Sequence, residues 1–236
     1  MTNLNQKYSF VRLNGMGKIL FIVCILWLSS ACKKQTPPEQ LDLGYAYFPN
    51  DTGLTWVYHV DSISYNDNTQ SIDTFRFFLM ERISGQVADQ LYKNHQIVER
   101  YVRKNDSDTW QARTNSYILK TSNNVQVVED NNRIVKLAFP LGNVQSWNGN
   151  MYNDKIRQTY SLQALYATYN TGDTTYSNTV TVIHNPPINV IEEILIKSVY
   201  ARDIGLISFS NTYINTQVSG KSGYRVSQKL ISFYKP

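Results

Sequence analysis

Two cysteines, three histidines and a few closely spaced carboxylates are the residues of this sequence that could do chemistry. A bound metal would need His, Cys or carboxylate ligands at spacings such as HxH or HExxH. His59, His95 and His184 offer neither spacing, and each reads as a solvated or packed histidine. Of the acidic pairs, Asp106/Asp108 and Glu129/Asp130 fall in turn-forming stretches, where aspartate caps its own backbone. Glu192 and Glu193 are adjacent, so on a strand they point to opposite faces and cannot share a proton. A glycosidase pair assembled from distant positions stays open. The stretch NDSDTW, 105–110, lacks the glycine and the closing glutamate of an EF-type calcium loop. There is no GxSxG nucleophile motif and no glycine-rich phosphate loop. The expectation is a protein that is not an enzyme and holds no metal and no cofactor. One reactive group remains, the thiol of Cys32.

Cys32 follows ten consecutive apolar residues, 19–28 (ILFIVCILWL), and the small residues Ser29, Ser30 and Ala31. Upstream lie Lys7, Arg12 and Lys18 and no acid. A basic segment, a short apolar run and a small-residue cleavage site make a secretory signal peptide over 1–31. A transmembrane helix is the competing reading, but ten residues rise only about 15 Å against a hydrocarbon core of about 30 Å. Met16 also opens a compact signal of its own, so Met1 and Met16 are both candidate starts. The run LSSACKK resembles the lipobox of bacterial lipoproteins, with Ser29 where leucine is usual and Leu28 one position further back. Relaxed lipoboxes of this kind are similar to those of Bacteroidota-type envelope lipoproteins. The resemblance implies that Cys32 becomes the acylated (palmitate-bearing) N-terminus of the mature chain, cut out behind the signal peptide. A plain cleaved signal with an incidental cysteine is the alternative. Cys24 leaves with the signal, so an acylated mature chain has no thiol and no disulfide, and its core must hold it together. Lys33 is not the aspartate that inner-membrane retention implies, and the first acid after the cysteine is Glu39. The expectation is therefore an outer-membrane lipoprotein of the cell envelope, facing the periplasm, with the membrane as partner through its lipid anchor.

The 236-residue chain carries a net charge of +5. Removing Lys7, Arg12 and Lys18 from its 23 basic residues leaves 20 against 18 acidic, which excludes a strongly basic nucleic-acid surface. Residues 32–44, with Pro37-Pro38, read as the lipidated cysteine and a flexible tether, and 45–236 as one antiparallel β domain, monomeric. In that domain Leu54, Trp56, Tyr58 and Val60 fall on one face, as do Phe75, Phe77, Leu79 and Ile83. Val135, Leu137 and Phe139 repeat the pattern, and Val180 and Val182 follow it. Strict alternation marks antiparallel strands with one dry face. Turn clusters near 66, 104, 122, 130, 170, 185 and 219 separate about ten strands. Residues 190–201 fit a helix by spacing, but their β-branched side chains favour a strand. The fold class is mainly β: a single antiparallel domain forming a curved open (half) barrel, with a β-sandwich as alternative.

Two stretches resemble the opening and closing segments of uncharacterised envelope lipoproteins: AYFPNDTGLTWVYHV, 46–60, and SVYARDIGLISFS, 198–210. The second is also similar to the late strands of outer-membrane lipoprotein-carrier proteins, a resemblance that implies a half-barrel holding acyl chains. On the residues alone, Gly53 and Gly205 supply turns or bulges, and Trp56, Tyr58, Phe75 and Phe77 face a lipid-like ligand or fill the core. Residues 139–154 form a polar-aromatic loop whose Trp147, Asn148, Asn150 and Tyr152 are candidates for recognising a polysaccharide or a protein. The expected function is non-catalytic binding of an apolar or amphipathic ligand, or handling of envelope components. The alternative is an interaction module built on the Trp147 loop, and a hydrolase is the third reading.

Overall fold

Alternation decides the architecture. β1 (Thr55–Asn66) sends Trp56, Tyr58 and Val60 inward and leaves His59 and Asp61 outside. It is one of thirteen strands among the described residues, the others being β2 (Ser71–Gln86), β3 (Gln96–Arg103), β4 (Gln111–Ala112), β5 (Ser116–Lys120), β6 (Asn124–Glu129), β7 (Asn132–Ala138), β8 (Ser146–Asn148), β9 (Thr159–Asn170), β10 (Thr175–His184), β11 (Glu192–Ala201), β12 (Gly205–Gln217) and β13 (Gly220–Tyr234). These come from a computed structural model that describes residues 42–87, 94–184, 186–187 and 189–236. The expected signal peptide, Cys32 and the tether up to residue 41 lie outside the described residues. Asp42–Pro236 forms one compact unit. Its packing begins three residues ahead of Tyr45: Asp42 pairs with Arg202, and the Leu43 carbonyl accepts from Leu141 N at 3.2 Å.

All thirteen strands belong to one sheet, in the order β7-β6-β5-β3-β2-β1-β13-β12-β11-β10-β9-β8, with β4 on β3, and every pairing is antiparallel. The sheet is mainly β and curved as expected, and it curls further than a half-barrel, into a nearly closed barrel with a seam between β7 and β8. The sandwich alternative is not what forms. Bulges between Val57 and Tyr58, at Tyr200 and beside Val125 bend the strands, as closure requires. Gly53 and Gly205 take φ of 93° and 94° at turns, a region that side-chain-bearing residues seldom adopt. Residues 192–201 are a strand, as their β-branching predicts.

The seam is shut by the segment 139–154. Val135 N–H donates to Gly149 O at 2.9 Å, and the Trp147 indole N–H donates to Val135 O at 3.0 Å. Asn153 adds a bond from its amide to Arg133 O at 2.7 Å. One end of the barrel is packed solid around Tyr47, Ile83, Val125, Leu137, Val199 and Ile207, all fully buried. Toward the other end the interior opens.

Candidate functional site

The open part of the barrel is a cavity of about 1460 Å³. Ligand pockets for drug-sized molecules run from roughly 300 to 1,000 Å³, so this one has room for something larger. All four predicted ligand-facing residues line it. Trp56 and Tyr58 are buried and fixed by their polar tips, the indole N–H to Ile204 O at 2.6 Å and the phenol O–H to Leu206 O at 3.1 Å. Phe77 is half-buried, and Phe75, 58% exposed, stands at the rim. The register explains the grouping: Tyr58 pairs with Leu79, Val60 with Phe77 and Ser62 with Phe75, so one face carries them all.

The sequence reading missed four charged residues that share this interior. Glu81 sits opposite Trp56 on β2, in phase with Leu79 and Ile83. Arg100 sits opposite Glu81 on β3, in phase with Val98 and Val102. Its Nε lies 3.1 Å from Glu81 Oε1, and its Nη1 pairs with Glu129 at the end of β6. Lys136 belongs to the β7 bulge: Val125 pairs with Leu137 and Gln126 with Val135, so Lys136 has no cross-strand partner and reaches into the lumen. Its ammonium stands 5.9 Å from the ring centroid of Phe209 on β12. Alternation places Lys136 on the face away from Val135 and Leu137, and turn composition places Glu129 in a turn.

Burial raises the Glu81 pKa, Arg100 pulls it back, and Glu129 adds to the rise. Burial lowers the Lys136 pKa, and Glu129 and Glu81 counter only part of that. Burial also works against the Arg100 charge, but the two glutamates outweigh it and hold the guanidinium protonated. The wall therefore joins aromatic and aliphatic surface to a desolvated ionic cluster. That combination suits a molecule with an apolar body and a polar end.

The residues proposed for a recognition loop are placed differently. Trp147 and Asn150 are buried, the first stacked on Tyr160 at 6.2 Å and the second bonded through its amide to Ile156 O at 2.7 Å. Asn148 accepts from the N–H groups of Asn150 and Gln158, both at 3.1 Å. Only Tyr152 of the four is exposed. Trp147, Asn148 and Asn150 close the seam and shape the 149–158 turn, so they do not form an exposed aromatic platform.

The histidines stay apart. His59 lies outside the barrel, Nδ1 3.4 Å from Asp61, and His95 is buried ahead of β3. His184 ends β10 with Nδ1 2.8 Å from Thr159 O. No group of three or more His, Cys, Asp or Glu could hold a metal ion among the described residues. Asp106 and Asp108 work inside their own loop, on Arg103 and on the Asn105 N–H. Glu193 faces Arg225 at 3.1 Å while Glu192 accepts from Asn189 at 2.9 Å.

No family model and no curated protein matches the sequence. Two solved structures are similar. One is a protein from Bacteroides fragilis described as exported, with a YmcC-like fold: 12% identity, TM-score 0.45, covering 80% of this chain and 98% of that one. The other is a protein from Parabacteroides distasonis described as a lipoprotein: 11% identity, TM-score 0.44, covering 83% of this chain and 100% of that one.

Proposed function

We propose that this chain is a non-catalytic lipoprotein of the cell envelope whose barrel takes up an apolar or amphipathic ligand, in the manner of a binding or carrier protein. The cavity of about 1460 Å³, open at one end and walled by Trp56, Tyr58, Phe77 and Leu79, is the observation that carries the reading. Burying about 300 Å² of apolar ligand surface there supplies roughly 7 kcal/mol before ordering costs, enough for useful binding. The signal peptide and Cys32 would deliver the domain to the outer membrane on the periplasmic side, where acyl chains and other amphiphiles are at hand.

Uptake of an environment-sensitive fatty-acid probe tests the reading. The expected result is saturable fluorescence enhancement by the native domain and its loss in Phe77→Asp, with circular dichroism confirming that the variant keeps its sheet. A native domain that takes up no probe overturns the proposal. Placement is checked on intact cells: added protease should spare the domain, and rapid digestion would move it to the outer surface.

A further inference from the structure

We infer that Lys136, seated beside Arg100, receives the head group of an anionic amphiphile, so that the ligand lies head-inward in the barrel with its chain running up the aromatic wall. This rests on the binding reading above and narrows it to one chemical class: a long acyl chain ending in a carboxylate or a phosphate.

Two observations converge. Among the described residues, the Lys136 ammonium makes no hydrogen bond and no ion pair, although it has three donors to satisfy. Its nearest carboxylates, Glu81 and Glu129, are turned to Arg100 and make no hydrogen bond or ion pair with it. An incoming anion would fill that gap, and in a desolvated place charge-assisted hydrogen bonds are the strong ones. The same two engagements speak against a cationic head group.

A path of mixed apolar and amide side chains leads from Lys136 to the rim. The Lys136 ammonium lies against Phe209, and on β13 the next inward positions are Gln228 and Val226, opposite Phe209 and Asn211. Beyond them Tyr213 and Tyr224 pair across β12 and β13, rings 6.2 Å apart and both exposed, with Phe75 on the same inner face. A chain anchored by its head at Lys136 would cover these rings. The reverse orientation would leave the ammonium unpaired.

The test uses the domain from Asp42 onward, which holds the whole sheet and its core, after its cooperative melting is confirmed. Parinaric acid and its uncharged methyl ester are titrated side by side, with inorganic phosphate and acetate as competitors. The inference expects the acid to bind roughly tenfold tighter than the ester, the preference to vanish in Lys136→Met and persist in Lys136→Arg, and the two small anions to compete poorly because they lack the chain. Equal binding of acid and ester overturns the head-group assignment and leaves the cavity reading standing. Binding of neither probe overturns both. Displacement by phosphate alone at matching concentration would make this a small-anion site and overturn the amphiphile class. The acid–ester comparison needs no variant, so it decides even if Lys136→Met fails to fold.

Discussion

Burial pushes both Glu81 and Lys136 toward their neutral forms, so each charge is held in the wall at a desolvation cost. The folded pKa of Glu81 lies above its ordinary value of 4.5. Whatever stability it lends is present below that pH and is lost as the pH rises through the folded value. Glu81→Gln should therefore melt at or above the temperature of the native domain at pH 7, with the gap closing near pH 4. Lys136 has the opposite sign of charge and the same consequence: its folded pKa falls below 10.5, so the ammonium burdens the fold at neutral pH. Lys136→Met should melt no lower than the native domain at pH 7, measured by calorimetry. A clear fall in melting temperature for either variant would mean that the cluster holds the wall together. A group that costs stability and sits in a cavity is the pattern expected of a functional residue. Cys32 is judged by its own chemistry: Cys32→Ala should abolish palmitate labelling and accumulate unprocessed precursor, and persistent labelling would place the acyl group elsewhere.

β8 and the turn after it behave as a latch on the sheet. Trp147 is 9% exposed, bonds Val135 O and stacks on Tyr160, so it ties the two ends of the strand order together. Trp147→Ala should cost about 3–5 kcal/mol, the range for deleting a buried aromatic. Amide exchange should then speed up at Val135 and Gly149 before it does in β1 or β13. Uniform loss of protection across the sheet would show that the seam is no weaker than the rest. What the sequence could disclose of this follows from the range of each signal. Leu54, Trp56, Tyr58 and Val60 were legible because alternation is local. Glu81 was half legible: FRFFLMERI places it in phase with Leu79 and Ile83, a charge on an apolar face that the period itself exposes. Lys136 was hidden, since a bulge opposite Val125 shifts it from the predicted wet face to the lumen, and bulges leave no mark on side-chain pattern. Trp147 was hidden for another reason. Its partner Val135 is only twelve residues away, yet the two lie on opposite ends of the sheet, and only closure of the barrel brings them together.

At the scale of the whole domain, Asp42–Pro236 is two meanders joined at one pairing between its two ends. From β2 to β7, and again from β8 to β13, the chain mostly pairs each strand with a sequence neighbour. The exception is β1 with β13, where Thr55 meets Tyr234 and Tyr65 meets Gly223. That joint carries Trp56 against Phe233 and sets the register of the inner face that lines the cavity. The Gln70 amide, bonded to Ser219 O at 2.6 Å, clips the two flanking hairpin tips to each other. Pairing the two ends of a domain costs loop-closure entropy before any contact repays it, and non-local topology slows folding. Joining Pro236 to Asp42 through a short Gly/Ser linker and opening the chain at exposed Asn143, between β7 and β8, makes β13-to-β1 a local connection without making any other strand pair distant, because β7 and β8 are the two ends of the strand order. The permuted chain should refold several times faster than the natural order in stopped-flow fluorescence, with a similar unfolding rate. If the refolding rate is unchanged, the slow step lies elsewhere, and the seam between β7 and β8 becomes the place to look.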